Sequence, residues 1–99
     1  MELKHILESL LFSAQKPLSP VELREVFANA AAEEDADATV KSLKKVKEAE
    51  ISTALEQLAA EHETAARSYR LVCVAGSWQF VTQPEFAPWL KALVGVKAR

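Results

Sequence analysis

Residues 69–94, YRLVCVAGSWQFVTQPEFAPWLKALV, contain the pattern that decides the fold. Apolar residues alternate at period two on both sides of a Gly-Ser pair, which predicts two antiparallel strands joined by a two-residue turn. With Gly76 and Ser77 at the corner, Cys73 is expected opposite Phe80, on a face that is aromatic and aliphatic throughout. A two-stranded ribbon is not stable alone in water. We therefore expect the hairpin to pack on helices.

A first helix is predicted over residues 2–14. Its apolar residues recur at helical spacing, at Leu3, Ile6, Leu7, Leu10 and Ala14. Leu10, Leu11 and Phe12 are consecutive, so the apolar surface wraps around the C-terminal end of the helix and Phe12 points away from the main stripe. Phe12 is interpreted as a core residue of a central helix, with a place in a partner surface as the alternative.

The second helix has strong start signals. Ser19 can cap the free backbone amides, Pro20 suits the first helical position, and Glu22 completes a capping box. Residues 29–47 then form a charged insertion between the second and third helices, with acidic residues first and lysines after. Within it we predict a short helix capped near Asp37, since this order of charges suits the helix dipole.

A third helix is predicted over about residues 48–64, and its inward positions are Ile51, Ala54, Leu55 and Leu58. Its polar side carries five glutamates, and no lysine or arginine lies between Lys47 and Arg67. A final helix is expected to begin around Pro84. It carries apolar residues at i, i+3, i+4, i+7 and i+8, namely Phe86, Trp89, Leu90, Leu93 and Val94.

Three helices, a two-stranded ribbon and a C-terminal helix follow the order of a winged helix-turn-helix, in which the ribbon is the wing. The predicted fold class is mostly α with a β-hairpin. The 99 residues, 49% of them apolar, suffice for a single domain over residues 1–99. The lone cysteine excludes an internal disulfide, and no signal peptide or membrane span is evident, so we expect a cytoplasmic protein.

The charge of the third helix bears on the choice between DNA and protein as the partner. Duplex binding depends on Lys and Arg that neutralise phosphates, and base reading needs side chains such as Arg, Asn or Gln in the groove. A reading helix that exposes glutamates repels phosphate, and Gln57 alone cannot reverse that. The alternative, a winged-helix transcriptional regulator, would have to use the basic residues Lys41, Lys44, Lys45, Lys47, Arg67 and Arg70.

Catalytic, cofactor and metal sites are not indicated by the sequence. His5 and His62 lie far apart on charged helices and are interpreted as surface residues, and no Cys and His spacing suits zinc. Gly76 and Gly95 are too isolated to cradle a phosphate. Cys73 is interpreted as a small core residue of its strand. We therefore expect a protein that is not an enzyme.

Three segments carry a family resemblance: LESLLFSAQKPLSPVEL, ALEQLAAEHE and above all YRLVCVAGSWQFVTQPEFAPWL. Together they resemble the N-terminal winged-helix domain of segregation and condensation protein B, ScpB, an accessory subunit of the bacterial SMC–kleisin condensin. The resemblance covers nearly the whole chain except the insertion. Its most specific part is the hairpin followed by Thr82, Pro84, Glu85 and Trp89.

The resemblance implies an architectural role in chromosome condensation and segregation. Members of this family have two winged-helix domains, form homodimers largely through the first, and hold the kleisin ScpA, which closes the SMC ring. The resemblance covers only the first of these domains, so the chain is either a fragment or a member that has lost the second domain. Homodimerisation and a share of the ScpA contact are the expected functions of this piece. Direct sequence-specific DNA binding and membrane binding are not expected.

Four aromatic residues are the candidate partner-binding residues: Phe12, Trp78, Phe80 and Trp89. Trp78 lies beside the wing tip, where its own domain offers little cover, and aromatic anchors are enriched at interfaces. The other interpretation is that Trp78 packs on the final helix with Phe86 or Trp89. For Trp89 the position on the apolar stripe favours the core.

Overall fold

The computed structural model describes residues 2–97, and the side chains of residues 2–94. Five α-helices and one hairpin follow one another along this part of the chain: α1 (Leu3–Ser13), α2 (Pro20–Ala31), α3 (Ala38–Ser42), α4 (Glu48–Thr64), β1 (Tyr69–Val74), β2 (Ser77–Thr82) and α5 (Ala87–Lys97). One-turn 3-10 segments occupy Leu43–Lys45 and Pro84–Phe86. This is the winged-helix order, so the predicted fold class is confirmed. The short helix α3 is additional to that order and lies between α2 and α4.

The core lies between α1, α2, α4 and β1. Its buried apolar residues are Leu7, Leu11, Leu23, Phe27, Ile51, Ala54, Leu55, Leu58 and Leu71. All four inward positions predicted for the third helix are among them. On α1 the deeply buried residue of the last turn is Leu11, whereas Leu10 is half-buried.

The capping box predicted at the start of α2 is present. The backbone amide of Glu22 donates to Ser19 Oγ over 3.2 Å, and the amide of Ser19 donates to Glu22 Oε1 over 2.9 Å. The second bond stabilises the ionised carboxylate and so lowers the pKa of Glu22 below its ordinary value. Two amides that the helix itself cannot pair are satisfied in this way.

The segment between α2 and α4 contains the expected short helix. Asp37 Oδ1 accepts from the amide of Val40 over 2.9 Å, which fixes the start of α3. Leu43 and Val46 are partly buried against the core, so this charged segment is attached to the domain by two apolar side chains. α4 then starts at the predicted residue, where the amide of Lys47 donates to Glu50 Oε1 over 3.2 Å.

The hairpin register differs from the one expected. Ala75 and Gly76 form the corner, with φ of 53° and 82°, and Cys73 lies opposite Trp78 instead of Phe80. A tight two-residue hairpin turn of this kind needs positive φ at both central positions, and Ala75 adopts it although only glycine does so freely. The pairing differs by two residues, so every side chain keeps its face. Cys73, however, is exposed and not a core residue.

The wing is joined to the turn between α1 and α2. Leu18 and Trp78 exchange two backbone hydrogen bonds, of 2.9 Å from Leu18 N and 2.8 Å from Trp78 N. Through this bridge, the single residue Leu18 pairs with the outer edge of β2. The hairpin is therefore held by backbone bonds on one side and by Leu71 in the core on the other.

The last helix stands apart from the rest. α5 packs chiefly against the turn Pro84–Phe86 that precedes it. The radius of gyration is 15.6 Å, above the roughly 13 Å of a compact chain of this length. The apolar stripe predicted for this helix is therefore formed but is not folded onto the core.

Candidate functional site

An aromatic cluster lies where α1, α4 and the hairpin meet. It consists of Phe12, Tyr69, Phe80 and His62. The ring centroids of Tyr69 and Phe80 are 5.6 Å apart, and Phe12 lies 6.2 Å from each of them in edge-to-face geometry. Phe12 is 69% exposed. The interpretation of Phe12 as a core residue is therefore wrong, because its ring caps the cluster from the solvent side.

A groove of about 470 Å³ runs beside the aromatic cluster between α1 and the hairpin. Leu11, Phe12, Tyr69 and Phe80 give it an apolar lining, and Gln15 and Lys16 supply polar groups. Concave surfaces that combine aromatic side chains with a few polar groups are suited to binding another molecule. The groove thus brings together two of the predicted partner-binding residues, Phe12 and Phe80.

His62 lies beneath the cluster, and the sequence interpretation of it as a surface residue is wrong. The ring is 3% exposed, and its Nε2 is 2.7 Å from Glu8 Oε2. Its centroid is 5.1 Å from both Tyr69 and Phe80. A signal for this burial was available: position 62 continues the buried stripe of α4, four residues beyond Leu58. His5, in contrast, is exposed as expected.

Trp78 lies on the same face of the hairpin as Phe80 and is half-buried against the core. A second groove, of about 570 Å³, is lined by its ring together with Ala59, Ala60 and Leu71. Trp78 is thus partly covered by the core beside α4 and keeps part of its ring accessible.

A second apolar surface, the α5 face, consists of Phe86, Trp89, Leu93 and Val94. Trp89 is 71% exposed and Val94 64%. The sequence interpretation of Trp89 as a core residue is therefore wrong. The apolar residues have the predicted helical spacing, but this spacing does not determine whether the stripe faces its own core or another molecule. The four predicted partner-binding residues thus lie in separate places, with Trp89 on α5 and the others on the wing and α1.

The outer side of α4 is acidic, as the sequence predicted. The six residues predicted for its polar side are all exposed: Glu48, Glu50, Glu56, Gln57, Glu61 and Glu63. Lys4 of α1 forms an ion pair with Glu61, and this hydrogen bond raises the pKa of Lys4. Arg70 donates to the backbone oxygens of Arg67 and Tyr69, which draws its guanidinium toward its own chain. These features disfavour a phosphate backbone on this side of the domain.

Other site classes find no geometric support in the part of the chain that the structure describes. Residues 2–97 contain no group of three or more His, Cys, Asp or Glu side chains arranged to hold a metal ion. Among the helices described, none is long and apolar enough to cross a bilayer.

Comparison with known proteins identifies the family. A family model described as segregation and condensation complex subunit ScpB matches residues 5–99. The chain belongs to the ScpB family. Segregation and condensation protein B of Desulforamulus reducens is 31% identical to it over 93 residues, which make up 91% of this chain and 40% of that protein. The chain thus spans less than half the length of this ScpB relative.

Solved ScpB structures share the fold. The crystal structure of ScpB from Mycobacterium tuberculosis superposes with a TM-score of 0.68 at 20% identity, over 99% of this chain and 51% of that one. A crystal structure of a dimer of the ScpB N-terminal domain complexed with ScpA peptide matches with a TM-score of 0.61 at 27% identity, over 91% of each chain. The described winged helix therefore corresponds to the N-terminal part of ScpB proteins.

Proposed function

We propose that this chain is a winged-helix module of a bacterial SMC–kleisin condensin, acting in chromosome condensation and segregation by pairing with a second copy and binding the kleisin ScpA. One observation carries this proposal. The relative that matches over 91% of both chains is a dimer with a bound ScpA peptide. In that relative, a domain of this size is thus sufficient for dimerisation and for binding the ScpA peptide.

The surfaces of the domain support binding to proteins. Exposed aromatic side chains are typical anchors of protein interfaces. Phe12 and Phe80 line an apolar groove, and Trp89 is exposed on α5. We propose Phe12, Trp78, Phe80 and Trp89 as partner-binding residues, with Phe12 and Phe80 in the groove as part of the ScpA contact.

The module is proposed to act without catalysis. Its family consists of subunits of a segregation and condensation complex. The Glu8–His62 pair is a carboxylate and an imidazole in contact, but in the described residues no serine or cysteine hydrogen-bonds to it. A nucleophile within reach of the base is what such a pair would need for covalent catalysis. Its place under the aromatic cluster suits a structural link between α1 and α4.

The proposed location is the cytoplasm, with attachment to the chromosome through ScpA and SMC. The alternative of a DNA-binding regulator conflicts with the acidic side of α4. If the regulator were correct, affinity for a DNA duplex would be high and would fall steeply with salt, because bound phosphates release counterions. We expect weak DNA binding without sequence preference.

A measurement of ScpA binding tests both the proposed function and the proposed role of the groove in the ScpA contact. Fluorescently labelled ScpA from the same organism is titrated with the full chain and fluorescence anisotropy is recorded. Phe12→Ala is expected to weaken binding at least tenfold, the size typical of an aromatic interface anchor. Val74→Ala is the control, because Val74 is 64% exposed near the tip of the wing and away from the groove. Absence of ScpA binding by the unsubstituted chain would refute the proposed function.

A further inference from the structure

The α5 face is an exposed apolar surface. Trp89, Leu93 and Val94 lie on one side of α5, and Phe86 lies in the one-turn 3-10 segment directly before the helix. The exposed fractions are 36% for Phe86, 71% for Trp89, 50% for Leu93 and 64% for Val94. Leu90, between them, is half-buried. A contiguous apolar patch of this kind on a small domain marks an interaction surface.

The helix itself needs such a contact. α5 has 11 residues, and isolated helices of that length are marginal in water because most helix stability comes from packing of an apolar face. Residues 86–94 contain a single charged residue, Lys91, so ion pairs within the helix cannot replace that packing. A partner that covers Trp89 and Leu93 would stabilise the helix as well as the interface.

Charge favours a second copy of the chain as the partner. A two-fold contact brings the same patch of both subunits together, so like charges on that patch repel. The outer side of α4 would bring glutamates against glutamates. The α5 face has no acidic residue among its four members and can meet itself without that penalty. A dimer is also the state of the relative that matches over 91% of both chains.

We infer that α5 of each copy packs against the other copy across a two-fold axis, with Trp89 and Leu93 at the centre of the contact. This inference rests on the dimerisation proposed above and names the element responsible. Trp89 is the main anchor, since tryptophan is enriched among the residues that dominate interface energies. The groove beside Phe12 then stays open in the dimer for a different partner.

Sedimentation equilibrium of the full chain, at concentrations from nanomolar to high micromolar, tests the inference. Trp89→Ala and Leu93→Ala are each expected to raise the dimer dissociation constant at least tenfold, which corresponds to about 1.4 kcal/mol. Val21→Ala is the matched control for Leu93→Ala, because Val21 is an exposed apolar residue on α2 with 52% exposure. It should leave the dissociation constant unchanged.

A second measurement leaves the α5 face unsubstituted. In a Trp78→Phe variant the remaining tryptophan is Trp89, since the chain has two. Because Trp78 is itself a proposed partner-binding residue, the dimer dissociation constant of this variant is first measured by sedimentation equilibrium. As the concentration rises through that value, the emission of Trp89 is expected to shift to shorter wavelength and iodide quenching to weaken. A helix that stays exposed in the dimer would show neither change.

The outcomes separate this inference from the proposed function. A dimer that both α5 substitutions weaken, with Trp89 protected at high concentration, supports the inference. A dimer that tolerates both substitutions and leaves Trp89 quenchable overturns it, while the proposed dimerisation stands. A chain that stays monomeric over the whole concentration range overturns both.

Discussion

Neighbouring side chains at the end of α1 show how one position along a helix separates core from surface. Leu11 is 4% exposed and Phe12 is 69% exposed, because successive residues of a helix point about 100° apart. The run Leu10, Leu11, Phe12 shows that the apolar surface is wide, but it does not show which part another element covers. That depends on where β2 lies, so the burial of Phe12 could not be predicted from the local pattern.

His62 illustrates the opposite error. Its neighbours in sequence are charged, which suggested a surface residue, but its helical position continues the line of Leu55 and Leu58. The partner of its Nε2 is Glu8, a residue 54 positions earlier in the chain. Pairings across such a distance depend on tertiary packing and have no local signature.

The capping box predicts a measurable pH dependence. The folded state lowers the pKa of Glu22, mainly through the hydrogen bond from the amide of Ser19. The ionised carboxylate therefore stabilises the fold above the ordinary glutamate pKa, and this contribution is lost as the pH falls through the lowered pKa. Urea unfolding of the unsubstituted chain and of Glu22→Gln should show a difference in stability at pH 7 that shrinks by pH 3.

Glu25→Gln is the control for this experiment, because Glu25 is exposed on the same helix. It should change the unfolding free energy little at either pH. If the unfolding free energies of the unsubstituted chain and of Glu22→Gln differ by the same amount at pH 7 and at pH 3, the charge of Glu22 contributes nothing to stability.

Among the elements, α4 was the most predictable and the hairpin turn the least. α4 spans the predicted residues with the predicted buried face, since its apolar spacing and acidic start agree. The hairpin was predicted with the correct faces, but the corner lies one residue earlier, at Ala75 and Gly76. The cause is that alanine rarely adopts positive φ. A Gly-Ser corner was therefore the simpler expectation from sequence.

The strained corner of the hairpin should respond to substitution. Ala75→Gly is expected to raise the unfolding free energy by about 0.5–1 kcal/mol, because glycine adopts the positive φ of 53° without steric cost. Gly76→Ala is expected to lower it by about 1 kcal/mol. A Cβ at position 76 would meet no atom within 4 Å, so this cost comes from the backbone conformation alone. Equilibrium urea unfolding of the two variants measures both values, and a destabilised Ala75→Gly would contradict this account of the turn.

For the whole molecule, the sequence predicted the order of the elements and most of the core. It did not predict that α5 stands away from the body with Trp89 exposed. The reason is physical: an apolar stripe looks the same in sequence whether its partner is the same chain or another one. The contrast between the acidic side of α4 and the nearly uncharged α5 face becomes interpretable only once both surfaces are known to be exposed.

The central proposal is that this winged helix binds proteins, a second copy and ScpA, in place of DNA. Sedimentation velocity of the chain at micromolar concentration, alone and with fluorescently labelled ScpA, tests it most directly. The account predicts a dimer in the first case and, in the second, a faster boundary that carries the label. A chain that sediments as a monomer and leaves labelled ScpA at its free sedimentation coefficient would contradict it.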